Sequence, residues 1–182
     1  MSLPAYGTVT RTKPRVLIHR GWDPNNPTQR SVNAPIAAGV TIRSGQVISL
    51  SSNNGVMEWV LGQPAAGDIP FIAYQDSDDF DVVASGGLTG LSSQDQIELS
   101  TPYFRATPVT VAYGKQVRLK ADGVTGNVTT ALTTDRQTLG FQSRYDGPHD
   151  IAAEYPGAAV DGSGHVLVLT LTTDFQRNGA EA

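Results

Sequence analysis

The stretch Val47-Ile-Ser-Leu-Ser-Ser-Asn-Asn-Gly-Val-Met-Glu-Trp-Val-Leu61 decides the fold class. Two short runs, Val47 to Leu50 and Val56 to Leu61, flank Asn54-Gly55. An Asn-Gly pair is a strong two-residue hairpin signal because both positions tolerate positive φ. A β-hairpin is expected here, and the same pattern of short apolar runs between turn residues continues along the chain.

Upstream, Val40 to Ile42 reads as a strand, and downstream Ile69 to Tyr74 as another. Val109 to Tyr113, Val117 to Ala121, Val128 to Leu132 and Leu139 to Gln142 extend the series, with Asp122-Gly123 as a further turn. The clearest run is His165-Val-Leu-Val-Leu-Thr-Leu-Thr172, apolar and β-branched, introduced by Asp161-Gly-Ser-Gly164 and expected inside a sheet. Helix has little room, since 19 Gly and 11 Pro punctuate 182 residues and both are costly within a helix. One short helix is expected over Ser92 to Ile97, where Ser92 with Asp95 resembles a capping box. The fold class read from this pattern is all-β, a barrel or sandwich of short antiparallel strands.

Two stretches echo one another. Gly45-Gln-Val-Ile-Ser-Leu50 followed by Ile69-Pro-Phe-Ile-Ala-Tyr-Gln75 is matched by Gly114-Lys-Gln-Val-Arg-Leu119 followed by Thr138-Leu-Gly-Phe-Gln142, which suggests two related β-units.

Charge divides the chain differently. Residues 1–34 hold Arg11, Lys13, Arg15, Arg20 and Arg30 against Asp23 alone, 5 − 1 = +4, while the rest carries 8 basic and 16 acidic groups, −8, for a total of −4. Residues 1–34 are read as an extended basic arm, with Val16 to Ile18 as its strand and Gly21-Trp22-Asp23-Pro24-Asn25-Asn26-Pro27 as irregular backbone. Residues 35–182 form the β body. The arm's landing surface is its own body, a sister subunit or another protein.

Function classes fall away in turn. With no cysteine there are no disulfides, thiolate metal sites or cysteine nucleophiles. The acidic balance argues against a general nucleic-acid binder, which neutralises phosphates with Lys and Arg. No window reaches the roughly 18 apolar residues of a membrane span, and the N-terminus lacks a secretory apolar run, so synthesis and folding in a cytosol without membrane association are expected.

Catalytic groupings are equally thin. His149-Asp150 and Ser163-Gly164-His165 hold triad residue types, but neighbours on an extended strand point to opposite faces and no Gly-x-Ser-x-Gly elbow occurs. The three histidines, His19, His149 and His165, show no metal-ligand spacing. Asp76-Ser-Asp-Asp-Phe-Asp81 has alternating carboxylates suited to calcium, yet an EF-hand loop would need Gly where Asp81 stands and Glu where Gly87 stands. It reads as a solvated acidic loop. Gly86-Gly-Leu-Thr-Gly90 and Gly123-Val-Thr-Gly126 lack the Lys-Ser/Thr of a phosphate cradle and read as turns. Glu58 with Glu98 or Glu154 is the pair of acids that glycoside hydrolysis would use. No cofactor and no enzymatic activity are expected.

Pro35-Ile-Ala-Ala-Gly-Val-Thr-Ile-Arg-Ser-Gly-Gln-Val-Ile-Ser-Leu50 resembles the opening strands of the head decoration, or cement, proteins of tailed bacteriophages, loosely as far as Ser143. Those proteins are likewise cysteine-free, acidic, all-β and rich in Gly and Thr, with an extended terminal arm. The resemblance implies a virion structural protein on the capsid exterior, made in the host bacterial cytoplasm. It would bind the major capsid protein across subunit boundaries and self-associate, by the family's habit as a trimer. Arg11, Lys13, Arg15, Leu17, Arg20, Trp22 and Arg30 are the expected capsid contacts, the charges pairing with acidic groups and Leu17 and Trp22 anchoring. The strand Val16 to Ile18 would add to an exposed sheet edge. The competing reading is a carbohydrate- or receptor-binding β-module of a fibre or adhesin, with Trp59, Tyr74 and Tyr103 as stacking platforms.

Overall fold

The computed structural model describes residues 16–21, 31–62, 69–92, 96–106, 116–119, 126–128, 138–142 and 165–171. The hairpin forms where the Asn-Gly turn places it. Strands β3 (Val47–Asn53) and β4 (Val56–Leu61) pair antiparallel from Asn53 opposite Val56 to Ile48 opposite Leu61. Asn54 and Gly55 turn the chain at φ 50 and 85, the left-handed pair that matches the twist of the flanking strands.

Val47 and Ile48 are consecutive and both fully buried. Alternate residues of a strand face opposite sides, so this sheet must be covered on both. Ile48 joins Ala34, Ile42, Trp59, Phe71, Ala73, Val82 and Leu88 in one core, while Val47 joins Val16, Ile72, Leu91, Ile97, Leu99 and Leu171 in another. Phe71, Ile72 and Ala73 alternate between the two cores in the same way. A fully buried Val or Ile contributes about 1.5–3 kcal/mol, so the doubly covered strands are the stability centre.

The first sheet contains β2 (Val32–Ala34), β3, β4, β5 (Phe71–Ala73) and β6 (Leu88–Ser92), in the order β2-β6-β5-β3-β4. In the second, β7 (Glu98–Ala106), β8 (Gln116–Leu119), β9 (Gly126–Val128), β10 (Thr138–Gln142) and β11 (His165–Leu171) run in the order β7-β11-β10-β8-β9, with β1 (Leu17–Arg20) added beside β7. Numbered within each sheet, both follow one path: first, fifth, fourth, second, third, each pair antiparallel.

The likeness extends to the join. In the second sheet the third strand meets the first again through a parallel pair, Phe104 opposite Gly126. In the first, the chain leaving β2 meets β4 through a parallel bridge between Ile36 and Trp59, with Trp59 N–H donating to Pro35 O and Ala37 N–H to Trp59 O. Among the described residues each sheet curls toward a ring that a single parallel contact draws together without a continuous ladder, so neither is a closed barrel there. The echo Gly45–Leu50 and Gly114–Leu119 falls on the second strand of each sheet, and its companion stretches on the fourth.

The second core lies between the sheets, since Val47, Ile72 and Leu91 come from one and Leu99 and Leu171 from the other. The register of β11 on β7 slips between Val166, opposite Arg105, and Val168, opposite Ser100, so β7 bulges around Pro102. Proline has no N–H to give a ladder, and the bulge accommodates it.

Several expectations are corrected. Ser92 to Ile97 is not a helix: Ser92 ends β6, Gln96 has φ 52, and residues 93–95 lie outside the described residues. The helix among the described residues is α1 (Phe80–Ser85), stopped by Gly86 at φ 71 in the left-handed conformation that glycine enters freely. Val40 to Ile42 is not a strand, although Ile42 is fully buried; its N–H and C=O are satisfied by Ser77. Gly86 to Gly90, read as a turn, runs into β6, an interior strand. Ile69 to Tyr74 shortens to Phe71–Ala73, and Val128 is the last residue of β9 rather than the first of a strand. Val109 to Tyr113 and 129–132 lie outside the described residues. His165–Leu171 is interior as expected, between β7 and β10. No helix among the described residues is long and apolar enough to cross a membrane.

The region read as an arm enters both sheets. Val16 is buried, Leu17–Arg20 pairs with β7, and Val32–Ala34 pairs with β6.

Candidate functional site

Charged and polar groups converge where the turn before β3 meets the loop after β5. Gly45 makes the turn at φ 91, and a Cβ there would lie on Thr101, 2.8 Å from its Cβ, so only glycine fits. Thr101, delivered by the β7 bulge, donates its hydroxyl to Gly45 O at 3.1 Å. Ser44 beside it is fully buried, accepts the Val16 N–H at 3.0 Å and donates to Tyr74 O at 2.8 Å. One hydroxyl thus joins the start of β1 to both loops.

Asp76 is fully buried, and its Oδ1 accepts the Ser44 N–H at 2.7 Å. Its own N–H donates to Asp79 Oδ2 at 3.1 Å. Arg43 Nη1 donates to Asp78 Oδ1 at 2.8 Å and stands 3.7 Å from Asp76 Oδ2. The hydrogen bond to Asp78, helped by the charges of Asp78 and Asp76, holds the Arg43 guanidinium above its ordinary value against the opposing effect of burial. Burial, and secondly the Asp76 charge, raises the Tyr103 phenol while Arg43 lowers it.

Carboxylate oxygens of Asp76, Asp78 and Asp79 lie within 4.8 Å of one another, a spacing that oxygen-seeking cations use. Here the Arg43 guanidinium already brings a positive charge to Asp78 and Asp76, so the geometry is that of a loop pinned by an internal counter-ion. The expectation of a fully solvated acidic loop is corrected for Asp76, which is buried; Asp78 and Asp81 are exposed.

The other surface of note is apolar. All residues from Ser51 to Met57 are exposed, so the tip of the β3–β4 hairpin projects, with Val56 and Met57 about half exposed. On α1, Phe80 is 84% and Val83 69% exposed, while Val82 between them is buried in the first core.

Of the residues expected at a capsid contact, Leu17 and Arg20 are described. Arg11, Lys13, Arg15, Trp22 and Arg30 lie outside the described residues. Leu17 stands opposite Ser100 and Arg20 opposite Glu98, so the strand addition expected at a foreign sheet edge takes place on the chain's own β7. Trp59 is no stacking platform: it is fully buried, donates its indole N–H to Leu88 O at 2.7 Å, and meets Phe71 edge to face at 5.1 Å between ring centroids. Tyr74 and Tyr103 are half-buried against the second core.

Of the candidate acids, Glu58 accepts from Asn53 Nδ2 at 3.2 Å across its own hairpin and Glu98 sits on β7. Glu154, His149, Asp150 and Ser163 lie outside the described residues, and His165 starts β11 opposite Ala106. Sequence reasoning missed Arg43, Ser44 and Thr101. The available signal was Gly45, a glycine that opens the echoed stretch and needs both positive φ and a close neighbour.

The chain matches no protein-family model, no curated protein and no solved structure.

Proposed function

We propose that this is a non-enzymatic virion structural protein that decorates and cements an icosahedral phage capsid, binding the major capsid protein across subunit boundaries from the exterior and self-associating as a trimer. The partner class comes from the resemblance of Pro35–Leu50 to head decoration proteins. The observation that carries a binding role is the projecting hairpin tip, Ser51–Met57, exposed throughout and ending in Val56 and Met57. A two-stranded finger with apolar side chains suits a seam between subunits, where its contacts must break together before the shell opens. Attachment at several points multiplies such contacts into avidity. Arg11, Lys13 and Arg15 add attraction to acidic capsid groups, screened over about 8–10 Å at ordinary ionic strength.

The test is co-sedimentation of the full chain with capsids built from the major capsid protein of the genome that encodes it. Removing 1–34 would be uninformative, because Val16, β1 and β2 are built into the sheets. Substitutions suffice: Arg11→Ala with Lys13→Ala and Arg15→Ala, and separately Val56→Ser with Met57→Ser. Saturable binding by the parent, weakened by salt and by each set, is expected. Absence of binding at low salt, or saturable recognition of a glycan in place of a capsid, would overturn the reading.

A further inference from the structure

Strand β1 sits where parts of the chain far apart in sequence meet. It lies along β7 with Leu17 opposite Ser100, Ile18 opposite Leu99 and Arg20 opposite Glu98, and the register slips between Ile18 and Arg20. Val16, the residue before it, is buried in the second core and donates its N–H to Ser44 Oγ at 3.0 Å. The seat therefore has three parts: the β7 edge, the slot for Val16 and the Ser44 hydroxyl. It is lightly built beside the rest of the sheets. The β3–β4 ladder runs without a break from Asn53 to Ile48, whereas β1 is a four-residue edge strand with a slipped register, and no strand among the described residues pairs with its other side. Short edge pairings open before the interior of a sheet does.

When β1 leaves, Val16 and Ile18 lose their apolar surroundings and Glu98–Ser100 of β7 loses its partner on that side. An apolar slot beside an open strand edge is refilled by a strand that fits both. A second copy brings one of identical sequence, so every contact of the seat is remade with no new complementarity, a low-cost route to association. The exit from β1 suits such an exchange. Gly21 follows it at φ 83, packed so that a Cβ would lie 3.0 Å from Gln96 O. Glycine takes left-handed and extended backbone alike, so the chain is redirected here without straining a side chain. Residues 21–31 join β1 to β2, and at about 3.3 Å per residue a stretch of that length reaches up to roughly 36 Å, enough to cross to an abutting copy. We propose that self-association exchanges β1 between copies: residues 16–20 of one chain lie on β7 of the next, with Val16 in that copy's second core and its N–H on that copy's Ser44. Passed head to tail around a closed ring, the exchange leaves no β7 edge unfilled. This rests on the self-association in the proposed function and not on the capsid.

Because the chain has no cysteine, Leu17→Cys with Ser100→Cys places its only two thiols at partner positions of β1 and β7. Opposite residues of an antiparallel pair lie about 4.5–5.5 Å apart between Cα atoms, within the span of a disulfide. The associated and monomeric fractions of the double variant are separated by size exclusion, oxidised, and run on denaturing gels without reductant. Conversion of most of the associated fraction to covalent multimers is expected, with bridges inside single chains from the monomer. Bridges confined to single chains in the associated fraction would overturn the proposal, since the copies would then associate with each β1 in its own chain. So would a protein that stays monomeric at every concentration. Arg20→Cys with Glu98→Cys repeats the measurement at a second register position and leaves the buried Ser100 untouched. Co-sedimentation with capsids is scored separately: multimers without capsid binding retain the exchange and remove the cement role, and capsid binding with bridges inside single chains does the reverse.

Discussion

Replacing Gly90 by alanine would set a methyl group against the far edge of the Trp59 ring. Built on β6, the added Cβ falls 2.6 Å from Trp59 Cη2, 2.7 Å from Cζ2 and 3.2 Å from Phe71 Cβ, where carbon atoms rest at about 3.5–4.0 Å. The indole cannot swing aside freely. Its N–H is bonded at 2.7 Å to the buried carbonyl of Leu88, two residues before Gly90 on the same strand, and Phe71 closes the other side.

Overpacking of this kind costs about 1–3 kcal/mol, and loss of the indole bond would add about 1–3 kcal/mol, so Gly90→Ala should destabilise by roughly 2–6 kcal/mol. Trp59→Phe removes the colliding ring edge and, by itself, costs the bond and leaves a void. Combined, the two should be milder than their sum by about 1–3 kcal/mol, the coupling expected of residues in direct contact. Urea denaturation followed by far-ultraviolet circular dichroism measures all corners of the cycle without relying on the mutated tryptophan. A neutral Gly90→Ala, or costs that add within about 0.5 kcal/mol, would refute the packing described here.

Ser44→Ala should destabilise by about 1–3 kcal/mol by stranding the Val16 N–H and the Tyr74 carbonyl, and should speed amide exchange in Val16–Arg20 before the rest of the sheet. Gly55→Ala meets no atom within 4 Å, so its cost, about 1–2 kcal/mol by urea melts, is that of a left-handed alanine alone; a neutral result would deny the turn geometry. Tyr103 titrates above its ordinary 10.0, so its contribution is intact below pH 10 and declines as pH rises through the higher folded-state value. Tyr103→Phe should flatten that alkaline decline, and the difference in tyrosinate absorbance should show the late-titrating phenol.

The parts legible in sequence were those decided locally. Asn54-Gly55 dictates its own φ signs, and the β-branched and apolar run within His165–Leu171 forms a strand between β7 and β10. Helix α1 carries neither usual signal: Asp79 makes no side-chain cap bond, and of its larger apolar residues only Val82 enters the core while Phe80 and Val83 are exposed, leaving Gly86 as its mark. Strand β7 was hidden by Pro102, which a bulge accommodates. The polar junction was illegible for a different reason: Ser44 with Val16 and Gly45 with Thr101 are 28 and 56 residues apart, and a sequence holds no measure of such proximity.

By sequence β1 precedes the first set of five strands, yet it is stitched into the second. It is a strap across the two halves, and it makes severing the chain between β6 and β7 an instructive operation. The amino-terminal piece would keep a full five-strand set plus the strap, and the carboxy-terminal piece its own five, each with an unfilled half of the shared core. The two fragments should reassemble on mixing, and trimming Leu17–Arg20 from the first should cost that reunion far more than four residues would suggest.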